Sequence, residues 1–127
     1  MSVAYLDTHV GIWLHAGRIN KLTRAAKSAI EDYPLLISPM VYLEFDMMYA
    51  CGRCLAPAYK VQADLMTSFG VEICNQPFAA VAAAAIDIGW TKDPFDRIIV
   101  AHSVIYPKSI LITADENIRT HYPRAVW

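Results

Sequence analysis

Four carboxylates in this chain sit where an acid can do chemistry. Asp7 closes the short apolar run Val3-Ala4-Tyr5-Leu6, and an amphipathic segment with Val10, Ile12, Trp13 and Leu14 follows at once. That pattern predicts a buried strand, a turn and a helix, with the acid at the strand's end. In an α/β sheet, ligands bind at the C-terminal ends of strands. Glu44 has Met40, Val41, Met47 and Met48 three and four residues away, so it is expected inside an apolar helical stripe. A charge in such a stripe needs a partner or a metal. Asp96 opens a helix within Asp93-Pro94-Phe95-Asp96-Arg97, and Asp115 comes directly after the apolar run Ser109 to Thr113.

Each acid also has a purely structural reading. Asp7 and Asp115 could be helix N-caps. Asp93-Pro94-x-Asp96 is a good helix start in its own right, with Asp93 as the cap and Asp96 answering in capping-box fashion. Asp93 is expected to be structural. Of the histidines, His9 and His102 read as packed or hydrogen-bonded, and His15 and His121 as surface residues. Cys51-Gly52-Arg53-Cys54 has CxxC spacing. Only the distant Cys74 and scattered histidines could complete a zinc set of four, so it reads as two thiols near a helix end.

The elements that must position the acids follow in order. Helices are expected over Thr8 to His15, Thr23 to Asp32, Pro39 to Cys51, Pro57 to Ser68 and Pro77 to Ile88. Another is opened by Trp90 to Arg97 and runs through Ile105, and a last short one covers Glu116 to Tyr122. Strands are expected at Leu35 to Ser38, Val71 to Cys74 and Ser109 to Thr113, with Ala125 to Trp127 as a possible edge. Strands alternating with helices indicate a mainly parallel sheet of four to five strands in a three-layer α/β/α arrangement. Right-handed crossovers put the strand C-termini on one rim. Asp7, Glu44, Asp96 and Asp115 would then meet there from four distant places.

Length and composition agree with one domain over residues 1–127. The 56% hydrophobic content suggests that a partner or a second copy covers some apolar surface. No run approaches a bilayer span, and no basic leader precedes Asp7, so a cytoplasmic location without membrane attachment is expected. The net charge of −1 shows no basic excess, but an acidic cluster would mask one. Three cysteines argue against a disulfide framework.

Four gathered carboxylates repel. At an effective dielectric of about 20, two unit charges 4 Å apart interact by about 4 kcal/mol. An oxygen-only donor set favours Mg²⁺ or Mn²⁺ over zinc, and such ions recruit phosphate oxygens. The chemistry this suggests is phosphoryl transfer, most simply phosphodiester hydrolysis.

Tyr5-Leu6-Asp7-Thr8-His9-Val10, Ser38-x5-Glu44, Asp93-Pro94-Phe95-Asp96-Arg97-Ile98-Ile99-Val100-Ala101 and Leu111-Ile112-Thr113-Ala114-Asp115 occur in the order and spacing of the PIN domain. Across essentially its whole length the chain resembles that family, and most of all its VapC toxins. The resemblance implies a divalent-metal endoribonuclease acting on structured RNA such as tRNA or ribosomal RNA, usually dimeric, and held inactive by a cognate VapB-type antitoxin. It further implies that Asp7, Glu44, Asp96 and Asp115 form an acidic quartet. Asp7 and Asp96 would bind metal most directly, Glu44 and Asp115 largely through waters or at a second site. Thr113 would orient an acid or a water. Arg97 and Lys92, flanking the site, are candidate phosphate contacts. The chain departs from the commonest pattern at Leu43, where relatives often carry Trp, and at Asn117-Ile118, where many have an aromatic residue. The competing reading is a catalytically silent PIN-like module that binds RNA or protein; the presence of all four acids speaks against it. Phosphatase and receiver folds need a second acid beside the first strand's acid, and Asp7 has only Thr8 and His9.

Overall fold

The computed structural model describes residues 2–127. Five short strands, β1 (Ala4–Leu6), β2 (Leu35–Ile37), β3 (Glu72–Ile73), β4 (Ile110–Ile112) and β5 (Ala125–Val126), form one sheet in the order β3-β2-β1-β4-β5. All four pairings are parallel, with Ala4 opposite both Leu35 and Ile110. Seven helices enclose the sheet as a three-layer α/β/α fold: α1 (Thr8–His15), α2 (Arg24–Asp32), α3 (Pro39–Ala50), α4 (Ala58–Phe69), α5 (Phe78–Ile86), α6 (Pro94–Ile105) and α7 (Glu116–His121). A 3₁₀ turn at Ile19–Lys21 fills the break expected after the first helix.

The central strands are apolar throughout because both sheet faces are covered. Tyr5, Leu6, Ile37, Leu111 and Ile112 are fully buried. The two residues of β3 are exposed, as suits a very short edge strand. The chain winds outward from β1 in both directions, to β2 on one side and β4 on the other. Beyond the carboxyl ends of β1 and β4 this topology opens a crevice. The backbone N–H of Asp7 still pairs with the Ile112 carbonyl (3.0 Å), so the acid leaves the sheet at its last rung.

Side-chain caps start the helices that bear the acids. Ser38 Oγ accepts from the Met40 N–H (3.0 Å) with Pro39 at the first position of α3, and Asp93 Oδ1 accepts from the Phe95 N–H (2.8 Å) with Pro94 first in α6. Gly11 sets the approach of α1 to α3 and α4: a Cβ there would stand 2.8 Å from Phe45 Cζ and 3.6 Å from Leu65 Cδ1.

The structure corrects the sequence reading in detail. The buried face of α3 is Val41 and Phe45, whereas Met47 is exposed and Met40 and Met48 are half-buried. Glu44 therefore borders the buried face instead of lying within it, because the side chain that α1 and α4 demand at their crossing is Phe45. On α4, where helical spacing predicts Val61, Leu65 and Met66 inward, Met66 is exposed and Gln62 is buried with Val61 and Leu65. Helix α5 ends at Ile86, two residues early, because Ile88 turns into the core.

Candidate functional site

Strand β1 delivers Asp7, which is buried and doubly held. Its Oδ1 accepts from the Thr8 N–H (2.8 Å) and its Oδ2 from the Thr113 hydroxyl (2.5 Å). Asp7 is thus the N-cap of α1 as well as a site acid. Thr113 serves two acids, since its Oγ1 also accepts from the Asp115 N–H (3.0 Å). Asp115 caps α7 by accepting from the Ile118 N–H (2.9 Å). Glu44 reaches the same place from α3: its Oε1 accepts from the Thr8 hydroxyl at 2.6 Å. Asp96 projects from the first turn of α6, and among the described residues its carboxylate accepts no hydrogen bond.

These groups line one cleft of about 370 Å³, together with Thr8, His9, Trp13, Asp93 and Ala114. All four acids of the expected quartet are brought together, and Asp93 stands beside them as the cap of α6. Lys92 and Arg97 do not line the cleft. Lys92 is exposed, and Arg97 Nε donates to the Thr91 carbonyl at 2.7 Å, which fixes the guanidinium to the loop before α6.

Besides Ala114, three residues that the sequence reading did not assign to the site belong to its walls. Thr8 joins the Asp7 and Glu44 carboxylates through its N–H and its hydroxyl. Its position directly after a strand-terminal acid was the available signal. His9 and Trp13 are one helical turn apart on α1 and lie ring against ring, centroids 5.9 Å apart. The other histidines are accounted for elsewhere. His102 is buried with Nδ1 on the Ile98 carbonyl (3.1 Å), His121 stacks on Trp90 at 5.0 Å, and His15 pairs with Asp64 at 2.8 Å.

The electrostatics follow from the crowding. Burial raises the Asp7 carboxyl above the usual range, against the opposing pull of its Thr113 and Thr8 hydrogen bonds. Glu44 is raised likewise by burial, opposed first by its bond from Thr8. Asp96 is pushed up to about 7, by burial first and then by the charges of Asp93, Asp7, Asp115 and Glu44. Among the described residues, no lysine or arginine lines the cleft to offset this. The cleft therefore concentrates negative charge, which favours a cation there. Its donors are carboxylate and hydroxyl oxygens, the set that suits Mg²⁺ or Mn²⁺. Among the described residues, however, no three acidic, histidine or cysteine side chains stand close enough to enclose an ion by themselves.

Comparison with known proteins adds the family. The PIN domain model matches residues 4–122. Among solved structures, the fold is similar to a chain in the crystal structure of VapBC2 from Rickettsia felis bound to a DNA fragment from their promoter. The TM-score is 0.60 at 17% identity, over 94% of this chain and 92% of that one. No curated protein matches the sequence at a significant level. With the family model spanning nearly the whole chain, this protein belongs to the PIN-domain family.

Proposed function

We propose that this protein is a divalent-metal-dependent endoribonuclease, the toxin of a VapBC-type toxin–antitoxin module, with Asp7, Glu44, Asp96 and Asp115 as its active site. The observation that carries the reading is Asp96. Its carboxylate, free of hydrogen bonds among the described residues, faces three further acids across one cleft and is pushed up to about 7. Such an arrangement costs stability unless a cation occupies it.

Asp7 and Asp96 would hold Mg²⁺ or Mn²⁺ directly, and Glu44 and Asp115 through water. When bound, the ion supplies Lewis acidity at a phosphodiester oxygen and lowers the pKa of a bound water. The chain's own groups do the positioning. The Thr113 hydroxyl and the Thr8 N–H fix the Asp7 carboxylate in one orientation. The Thr8 hydroxyl donates to Glu44 Oε1 and holds that carboxylate at the cleft. Asp93 holds the first turn of α6 so that Asp96 projects inward.

The antitoxin partner and a homodimer remain part of the proposal. The fold's neighbour is a VapBC2 assembly, and Leu43, Met47, Tyr59 and Met66 leave apolar surface exposed on α3 and α4. No described helix is long and apolar enough to cross a membrane.

The test is cleavage of total cellular RNA by the purified protein in Mg²⁺, in Mn²⁺ and in EDTA, with Asp7→Asn alongside and the new 5′ ends mapped. Discrete metal-dependent cuts absent from the variant support the proposal. A protein that binds neither metal and makes no cuts points to the silent binding module instead.

A further inference from the structure

Helices α1 and α3 end in the same way. Each closes on a glycine in the left-handed region, Gly17 (φ 71°) and Gly52 (φ 74°). Each glycine is followed by an arginine whose backbone N–H returns to a carbonyl five residues back. Arg18 bonds to Trp13 and Arg53 to Met48, both at 2.8 Å. This is the Schellman closure, and it fixes where each arginine leaves its helix. Helices α1 and α3 pack together, and Arg18 and Arg53 line one depression between them.

The two closures open onto one groove of about 430 Å³, lined by Arg18, Arg53, Met48 and Leu55 together with His9 and Trp13. His9 and Trp13 also line the acidic cleft. The two depressions are therefore neighbours across a single aromatic ridge, which Trp127 buttresses at 5.8 Å from Trp13. Neither Arg18 nor Arg53 forms an ion pair among the described residues, where the one salt bridge is His15–Asp64. Leu55, at 99% exposed, stands at the edge of the groove.

We propose that this groove is the substrate track. Arg18 and Arg53 hold backbone phosphates of a single-stranded RNA segment beside the scissile bond, and an unpaired base stacks on Trp13 and His9. The proposal rests on the nuclease reading of the adjoining cleft and adds to it the path of the substrate and the residues that hold it. Charge decides for a polyanion. Without a cation the acidic cleft repels phosphates, a bound ion would engage only the scissile one, and Arg97 is committed to the Thr91 carbonyl, so the flanking phosphates must be held by cations outside the cleft. The groove offers two unpaired guanidiniums with an aromatic face between them and the acids. Phosphate-binding cations next to a stacking platform are what single-strand sites use. As helix C-caps alone the arginines would gain only the interaction with the helix dipole, and they need not share a groove with the site.

The test measures binding of a short fluorescein-labelled oligouridylate by anisotropy, in Mg²⁺ and in the Asp7→Asn background, across a range of salt. Both arginines are exposed, so Arg18→Ala/Arg53→Ala keeps the fold. It is expected to weaken binding about tenfold or more at low salt. It should also flatten the slope of log Kd against log salt by about 1.4, at about 0.7 per phosphate. Trp13→Leu is expected to weaken binding about fivefold or more without changing the slope, and Trp13→Phe to restore most of it. A duplex of equal length should compete poorly. Unchanged affinity and slope in the double arginine variant overturn the proposal, as does a duplex that competes equally. If oligouridylate binding is unchanged while the double variant sheds a co-expressed antitoxin, the groove is a protein site and the proposal falls. RNA cleavage is measured separately on the unmutated protein, on Asp7→Asn and on Arg18→Ala/Arg53→Ala with Asp7 intact. Activity lost in Asp7→Asn but intact in the arginine variant removes the track and keeps the nuclease. Activity retained in Asp7→Asn removes the assigned active site and leaves the binding result standing.

Discussion

Replacing Asp96 by Asn should stabilise the metal-free protein at neutral pH, although it removes an acid from a helix N-terminus. The Asp96 carboxyl is raised from 3.8 to about 7. Below about pH 4 it is neutral in both the folded and the unfolded chain and has no effect on stability. Between about 4 and 7 the unfolded chain releases the proton while the folded protein keeps it, so stability falls as pH rises. Above about 7 the loss is complete. A shift of that size would correspond to about 4 kcal/mol for a fully buried group. Asp96 is only half-buried, and solvent screening reduces this to about 2 kcal/mol. The favourable interaction of the charge with the α6 dipole is worth about 0.3–1 kcal/mol and opposes the gain from Asn without cancelling it. Asn forfeits no capping bond, since Asp93 supplies the cap. The assay is thermal unfolding in EDTA from pH 4 to 8.5. The two proteins should unfold together at the acid end. At pH 8 the variant should melt about 5 °C higher, at roughly 3–4 °C per kcal/mol for a domain of this size. Saturating Mn²⁺ at pH 8 should reverse the order. At 100 times its Kd it adds about 2.7 kcal/mol to the unmutated protein, and it should add much less to the variant. Parallel melting curves across the pH range, or a variant less stable at pH 8, would refute the account of crowded, uncompensated carboxylates.

Other outcomes follow from the same geometry. Asp7→Asn should abolish metal-dependent RNA cleavage while leaving the circular dichroism spectrum unchanged. Thr113→Val deprives Asp7 Oδ2 and the Asp115 N–H of their shared hydroxyl, and should lower Mn²⁺ affinity about 10- to 100-fold by calorimetric titration. Thr8→Val frees Glu44 from its hydroxyl bond, so the rate at saturating metal should fall while urea unfolding shifts by only about 1 kcal/mol. Gly11→Ala places a Cβ 2.8 Å from the Phe45 ring and should cost about 1–3 kcal/mol in the same urea experiment; an unchanged midpoint would show that α1 and α3 separate freely.

Much of this protein is local and therefore legible in one dimension. The strands read as strands because both their faces are covered, which makes Ala4–Leu6 and Ile110–Ile112 apolar without alternation. The helix starts read as starts because Ser38-Pro39 and Asp93-Pro94 satisfy the first free N–H groups with residues adjacent in sequence. The four acids could be picked out because each follows a strand or opens or rides a helix next to one. Other features depend on pairs far apart in the chain. That Phe45 rather than a methionine faces inward on α3 follows from the close crossing at Gly11, thirty-four positions earlier, which helical spacing does not encode. That Thr8 joins two carboxylates depends on α3 arriving beside α1. Arg97 reads as a free cation from its neighbours, but the fold of the loop before α6 brings the Thr91 carbonyl within reach and commits it. The elevated Asp96 likewise belongs to no segment, because its cause is the summed charge of residues from four elements and the burial they create together. Sequence alone determined which groups could act, through periodicity and capping that operate over a few residues. Only the tertiary structure decided which of them meet, since side-chain direction at a helix crossing and Coulomb repulsion across a cleft depend on distances in space.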